Sequence, residues 1–348
     1  MGGAGQMSKT IVYAGGFWST NIGNAFYGLG CLHALSKACP DANIISAQNQ
    51  PGYFWQINKA NPKNAFDYLG CINAEYFVMS GPMIDKHFVS YWGESLIKIA
   101  ERGAKLILLS VGCGSYDEQE KRIVRKFMKE IGLHAIITRD TYTYENYGDL
   151  AAHSHDGICF AFFVNDYFKP YGLDVKPYVV FNCDRMPEPI FVESVNNQSG
   201  LSLFGKEWQC KLKNIPEYIY KGIAFLNVDV NKPYQHSFSG YEIIRTRHAA
   251  QPSAAKKLFA APNTLVSDVP DDYLNIYANA EAVLSDRVHA CVPALAFGKP
   301  AMFFGNTPRS RLFDRVGLGD IRKRPVTISQ DYLRAEKDDL LKFIGNII

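Results

Sequence analysis

Arg287 and His289 stand two residues apart where a short apolar run gives way to a helix, within LSDRVHACVPALAFGKPAMFFGN from Leu284 to Asn306. Ala282 to Leu284 has the length of a strand, and Ser285 and Asp286 are residue types that cap helix N-termini. Val288 to Phe297 carries small and apolar side chains suited to packing on a sheet; Gly298 and Pro300 end that helix, and Ala301 to Phe304 reads as the next buried strand. In a parallel sheet, ligands sit at the carboxyl ends of the strands, where a helix N-terminus adds partial positive charge and free amide donors. While the backbone is still extended, residues two apart point the same way. A guanidinium grips a carboxylate or phosphate at two points and an imidazole beside it can carry a proton, so the pair points to anion binding coupled to proton transfer.

The elements that must position this pair are short apolar runs alternating with helical stretches. Ile11 to Ala14, Ile44 to Ala47, Tyr76 to Met79, Leu106 to Ser110 and Ala135 to Thr138 read as strands of a first parallel sheet, with helices over Ala25 to Lys37, Tyr91 to Arg102 and Gln119 to Ile131. Past Pro170 and Pro177 the pattern restarts with Tyr178 to Asn182, Ile223 to Val228, Tyr241 to Arg245, Ala282 to Leu284 and Ala301 to Phe304. The expectation is an α/β chain of two doubly wound Rossmann-like domains facing across a cleft, a GT-B-like architecture. The domains would span 8–175 and 176–329, with a last helix from Gln330 to Ile348 packing back on the first.

The segment SDRVHACVPALAFGKPAMFFG resembles the signature of the polysaccharide pyruvyl transferase family, in which a small residue and Arg-x-His precede a helix ending in Gly-x-Pro. Other segments are similar to that family in the same order: GFWSTNIGNA (Gly16 to Ala25) to its first-strand loop, LLSVGCGS (Leu108 to Ser115) to a glycine-marked strand end, and IITRDTYTYENYG (Ile136 to Gly148) to its Arg-Asp segment, followed by the neighbourhood of Asp156. The stretch from Met186 to Pro262 matches poorly. Asn24 stands where the family commonly has aspartate, and Ser80, Gly81, Pro82 and Met83 replace a glycine run; both departures fall on the expected acceptor side and are consistent with an altered acceptor or with a changed reaction on the same scaffold.

What the resemblance implies is transfer of the pyruvyl group of phosphoenolpyruvate to two hydroxyls of a sugar as a cyclic ketal, with release of phosphate. His289 would protonate the methylene carbon, and Arg287 would hold the donor's charge. Further cations following strand ends are Arg185, Arg247 with His248, Arg309 and Arg311; Ser19, Asn21 and Asn24 would line the acceptor side. The resemblance requires no metal or cofactor, and it implies a glycan precursor, free or lipid-linked, in exopolysaccharide or cell-envelope synthesis. Two other readings fit the same residues: a glycosyltransferase whose cations hold a nucleotide diphosphate, and a noncatalytic glycan-binding or assembly protein.

Composition narrows the classes. With 37 basic and 34 acidic residues in 348, nothing favours a nucleic-acid partner. Eight scattered cysteines form no Cys-x-x-Cys pair, so reduced thiols in the cytoplasm are expected. Arg322, Lys323 and Arg324 make too short a basic run to establish docking at the inner membrane face, which a lipid-linked acceptor would invite. The string His153, Ser154, His155, Asp156 lacks a second ligand group at helical spacing for a metal. The glycines at 15, 16 and 23 lack Rossmann spacing and fit a tight turn, and Tyr53, Phe54, Trp55, Tyr91 and Trp92 are candidates for sugar stacking or core. Oligomeric state is left open.

Overall fold

The computed structural model describes residues 9–15, 21–47, 66–81, 83–115, 117–193, 201–204, 206–211, 213, 215–216, 219–220, 231–248, 259–305 and 307–348. The chain is α/β and divides into two compact units. The first holds Tyr27–Phe163 and Arg334–Ile348 together with the first strand; the second holds Val164–Leu333 together with the described residues 21–26. Relative to the expected boundary at 175, the second unit therefore begins at Val164 and also takes in the start of the first helix.

In the first unit, β1 (Thr10–Ala14), β2 (Asn43–Ala47), β3 (Tyr76–Ser80), β4 (Lys105–Val111), β5 (Leu133–Thr138) and β6 (Ala151–Asp156) form a parallel sheet in the order β2-β1-β3-β4-β5-β6. The strands β3 to β5 are buried on both faces, which is why they read as continuous apolar runs. β6 is an edge strand with polar residues, and its HSHD string carried no apolar signal.

Helix α1 (Gly23–Ala38) has no acidic first turn and is nearly apolar all round, so its position is set by packing. Its Gly30 lies against the chain at Phe160, where an added Cβ would meet the carbonyl oxygen at 1.9 Å. The Tyr13 hydroxyl donates to the Gly28 carbonyl at 2.8 Å and is hydrogen-bonded to Ser80 Oγ at 2.7 Å, tying helix to strand ends. Helix α2 (Lys86–Glu101) starts five residues before the expected Tyr91, because Asp85 caps it by accepting from the His87 and Phe88 amides. Trp92 on that helix packs against the core, and Tyr91 stacks on His87 at 5.9 Å; Tyr53 to Trp55 lie outside the described residues. Helix α3 (Glu118–Ile131), capped by Asp117 and closed by left-handed Gly132, and α4 (Thr141–Tyr147), capped by Asp140, complete the layers.

The short α5 (Val164–Tyr167) opens the second unit. Strand β7 (Tyr178–Asn182) is followed by a three-stranded antiparallel sheet, order β8-β10-β9, made of β8 (Ile190–Glu193), β9 (Leu201–Leu203) and β10 (Lys206–Lys211). Nothing in the sequence pattern announced this sheet; its strands are short and half polar. Phe191 and Trp208 nevertheless pack their rings at a tilt against Phe238, with centroids 4.6 and 4.5 Å away, and extend the core of the unit. Then come β11 (Ser237–Phe238), β12 (Tyr241–Arg245), helix α6 (Pro270–Asn279), β13 (Ala282–Ser285), helix α7 (Val288–Ala296) and β14 (Ala301–Phe303). The main sheet has order β11-β12-β7-β13-β14, parallel from β12 to β14. The expected strand at Ile223 to Val228 lies outside the described residues.

After β14 come the short α8 (Arg311–Arg315) and the long α9 (Gln330–Ile347), most of which belongs to the first unit, where His134 Nε2 is hydrogen-bonded to the Ile347 carbonyl at 2.8 Å. No helix among the described residues is long and apolar enough to cross a membrane. The basic run is matched by acids, Arg322 with Asp314 at 2.8 Å and Arg324 with Asp320 at 3.0 Å, which weakens it as a surface for anionic lipid.

Candidate active site

In the second unit β7 leads to β12 on one side, whereas β13 and β14 lie on the other. The connections diverge at β7, and in such sheets the crevice at the carboxyl ends beside that strand is where ligands bind. Three loops meet there: 183–186 after β7, 246–248 after β12, and 286–287 after β13.

One asparagine joins them. Asn182, buried at the end of β7, donates to the Thr246 carbonyl at 2.9 Å and to Thr246 Oγ1 at 3.1 Å, and its Oδ1 accepts from Ser285 Oγ at 2.9 Å. Asp286 then takes three amides of the β7 loop, those of Asp184 (3.0 Å), Arg185 (2.6 Å) and Met186 (2.9 Å). Sequence reading gave Ser285 and Asp286 to a helix cap. The structure instead makes Arg287 the N-cap of α7, with no side-chain cap bond, because Asp286 turns to the neighbouring loop and Ser285 Oγ accepts the Arg287 amide. Burial, reinforced by the charge of Asp184, raises Asp286 to about 6.

Arg287 sits in extended backbone at φ −116°, ψ 121°. Its Nε donates to Asp184 Oδ2 at 3.1 Å, and the same oxygen accepts the His248 amide at 2.9 Å. The two Nη groups of Arg287 make no further hydrogen bond among the described residues. Arg247 is 2% exposed; its Nη1 donates to the Cys183 carbonyl, Nη2 lies 3.8 Å from Glu188 Oε2, and among the described residues Nε and Nη2 have no hydrogen-bond partner. Burial works against its charge, but Asp184 and Glu188 outweigh that and hold its pKa above the ordinary value. Glu188 is already engaged by Arg245, whose Nε donates to it at 2.9 Å. Two guanidiniums thus stand at this strand edge with unfilled donor capacity, and neighbouring carboxylates fix them without saturating them.

Residues of the N-terminal motif join this cluster. The Ile22 amide donates to the His248 carbonyl at 2.9 Å, and a Cβ added at Gly23 would meet His248 Nδ1 at 2.6 Å and His289 Cβ at 3.2 Å. Gly23 is therefore a close-approach glycine wedged between the two histidines. Asn21 Oδ1 accepts the Gly23 amide at 3.2 Å and its Nδ2 donates to Asn24 Oδ1 at 3.1 Å, so the two asparagines bracket Gly23, the first residue of α1, which lies against His248 and His289. They were expected on the acceptor side of the first domain; the contacts that define them here lie within the second unit. Ser19 lies outside the described residues.

His248 departs from its expected role as a cation. It is buried, its Nε2 is bonded to the Tyr277 hydroxyl at 2.6 Å, and burial lowers its pKa to about 3. It is neutral in the folded chain and titrates near 6.5 once unfolded, so the folded state is favoured fully above that pH and less as pH falls toward 3. Between pH 7 and 5 the loss from this one group is about 2 kcal/mol. In His248→Gln, urea unfolding at the two pH values should differ by that much less than in the parent; an unchanged difference would mean that His248 is charged when folded.

Of the other expected residues, Arg185 contributes its amide to Asp286 and its side chain is half-buried. Arg309 is exposed in the turn after β14, and Arg311 is half-buried at the start of α8. Asn182, Asp184, Glu188 and Tyr277 were missed, although Asn182 and Asp184 flank the end of an apolar strand, where a polar residue is a usable signal. Burial pushes the Cys183 thiol well up, with Asp286 and Glu188 adding to it, so it is no nucleophile. In the first unit, His155 pairs with Asp339 at 3.5 Å and Asp156 accepts from Thr141 at 2.8 Å; no group able to hold a metal occurs among the described residues.

A family model described as polysaccharide pyruvyl transferase matches residues 21–308. Among solved structures, the chain is similar to S. aureus MnaA in a co-structure with UDP (TM-score 0.52, 10% identity, 97% of this chain and 91% of that chain). It is also similar to a putative UDP-N-acetylglucosamine 2-epimerase from Listeria monocytogenes (TM-score 0.53, 10% identity, 98% and 94%) and to a UDP-N-acetylglucosamine 2-epimerase from Rickettsia bellii (TM-score 0.51, 13% identity, 97% and 96%). At these identities the likeness concerns the fold, which is GT-B-like. No curated protein matches the sequence significantly.

Proposed function

Because the chain belongs to the polysaccharide pyruvyl transferase family, we propose that its second unit binds phosphoenolpyruvate and that the enzyme transfers the pyruvyl group to a sugar of a glycan precursor as a ketal. The observation that carries this reading is Arg287: its Nε is held by Asp184, its two Nη groups are unengaged among the described residues, and it stands at the uncapped start of α7 beside His289. A fork fixed at its base and open at its tip suits a planar carboxylate or a phosphate. The donor carries both groups, and Arg247 supplies the second source of unfilled N–H donors.

His289 gives a proton to the methylene carbon of the donor, cationic character develops at the adjacent carbon, and the acceptor's two hydroxyls add there as the C–O bond to phosphate breaks. The hydroxyls lose two protons; one returns to His289 and the other leaves with the departing phosphate. The cations offset charge on that leaving group. No step calls for a metal or another cofactor. The acceptor is a sugar or glycan precursor, free or lipid-linked, and the reaction belongs on the cytoplasmic side of envelope synthesis.

Thermal unfolding with phosphoenolpyruvate tests the donor. A ligand that binds only the native state raises the midpoint, by about 2 °C or more when well above its dissociation constant. A rise with phosphoenolpyruvate and none with UDP is expected. A rise with UDP alone would move the reading to glycosyl transfer, and no rise with either would favour a noncatalytic glycan-binding protein.

A further inference from the structure

Three successive amides, those of Asp184, Arg185 and Met186, converge on one buried side chain, Asp286. The Asp286 amide is itself fixed by the Asn182 carbonyl at 3.0 Å, which sets its carboxylate against the residues that follow Asn182. Successive N–H groups of a turn form a concavity that takes an anion, and in this loop the chain supplies the anion itself. The bonds are shared unequally: Oδ2 takes Arg185 and Met186, whereas Oδ1 takes Asp184. The loop so gathered carries the Asp184 carboxylate, whose Oδ2 accepts from Arg287 Nε and from the His248 amide. The aim of the Arg287 fork therefore depends on Asp286 at one remove, through a loop about 100 positions earlier in the chain.

A carboxylate can accept all three amides, but a carboxylic acid cannot, because its hydroxyl becomes a donor and turns away an N–H group. The proton costs least on Oδ1, where one amide is lost rather than two, and that amide belongs to Asp184. Burial, with the charge of Asp184, brings this protonation up to about 6, against the opposing pull of Arg287 and the amides. The other titratable groups facing Asp286 keep their state in mild acid. Cys183 in the same loop, Cys291 on α7 and Tyr220 all have pKa values raised by burial and stay neutral. From the β12 loop, His248 stays neutral and Arg247 charged, and both face Asp184.

We propose that Asp286 is a positioning residue of the oxyanion grip: ionised, it gathers the 183–186 loop so that Asp184 aims Arg287, and on taking up a proton it releases the Asp184 amide and the grip weakens. That this grip serves the donor rests on the reading of Arg287 as the phosphoenolpyruvate anchor; the dependence of the loop on Asp286 does not. The enzyme would then lose its hold on the donor in mild acid while remaining folded.

Inorganic sulfate is the probe, because its charge does not change in mild acid as that of a phosphate does. If only the ionised form grips, sulfate affinity of the full chain, measured by calorimetry at constant ionic strength, should fall about 10-fold between roughly pH 7.5 and pH 5. Protonation of His289 would favour the anion in acid, so it cannot produce a change of this sign. Asp286→Asn keeps one acceptor oxygen and puts an NH2 group in place of the other, as the protonated form puts a hydroxyl. Its affinity should match the parent's acid value and vary by less than about 2-fold over the same range. In nitrogen-15 spectra of the parent without ligand, the amides of Asp184, Arg185 and Met186 should shift together with a midpoint of about 6, and in Asp286→Asn they should not titrate. The proposal is overturned by a parent affinity that stays level or rises in acid, by sulfate that does not bind near neutral pH, by loop amides that do not titrate, or by a variant as tight as the parent near neutral pH. If Asp286→Asn fails to fold, the affinity profile and amide titration of the parent still decide. Comparing phosphoenolpyruvate with UDP in the parent reports on the donor separately: no phosphoenolpyruvate response beside the expected sulfate and amide behaviour would remove the donor reading and keep the role of Asp286.

Discussion

Replacing Arg287 with glutamine is expected to lower phosphate release from phosphoenolpyruvate by about 1,000-fold. The guanidinium is fixed before any ligand arrives, since Asp184 holds its Nε and is itself held by the His248 amide. Ordering it therefore costs little at the moment of reaction, which is when a preorganised charge contributes most. Arg287→Lys keeps the charge and can still pair with Asp184, but a point charge cannot present two parallel donors, so about a 100-fold loss is expected. Asp184→Asn should act differently, raising half-saturation for phosphoenolpyruvate more than it lowers turnover, because the fork is loosened rather than removed. Steady-state phosphate release in the three variants, with circular dichroism to verify folding, checks the order. Equal activity in Arg287→Gln and the parent would remove Arg287 from the reaction.

His289→Gln should separate binding from chemistry. Loss of a positioned proton donor is expected to reduce phosphate release by about 1,000-fold, whereas the rise in thermal midpoint with phosphoenolpyruvate should persist, since the guanidiniums remain. His289 sits in the first turn of α7, and Pro293 four residues on has no amide to offer the His289 carbonyl. If the variant loses the phosphoenolpyruvate response along with activity, His289 is a binding group and the proton comes from elsewhere.

The strand-helix-strand unit around these residues was legible because β13 and β14 are wholly buried and α7 is apolar with a glycine close. Hydrophobic runs therefore gave its boundaries within a residue or two. The first sheet was legible for the same reason, except at β6, where an edge strand tolerates polar side chains on an open face. The antiparallel β8 to β10 insert escaped because short strands with one wet face have almost no periodicity to read. At the site, motif spacing marked Arg287 and His289, but not what holds them. Asp184 lies 103 positions before Arg287, and the closeness of Gly23 to His289 spans 266; neither separation leaves any local trace. The same limit hid the neutrality of His248, which follows from burial by Tyr273, Tyr277 and Phe26 and not from its neighbours in sequence.

The Asn182 clasp has a bearing on how this chain can diverge. Thr246, Asn182 and Ser285 occupy the ends of three adjacent strands and exchange hydrogen bonds with no exposure to water. A change at any one strands polar atoms of the other two in the interior. Substitutions there cannot accumulate singly: the three positions should drift as a linked set, and a lineage that altered one would carry a compensating change at another while the loops of the site kept their places.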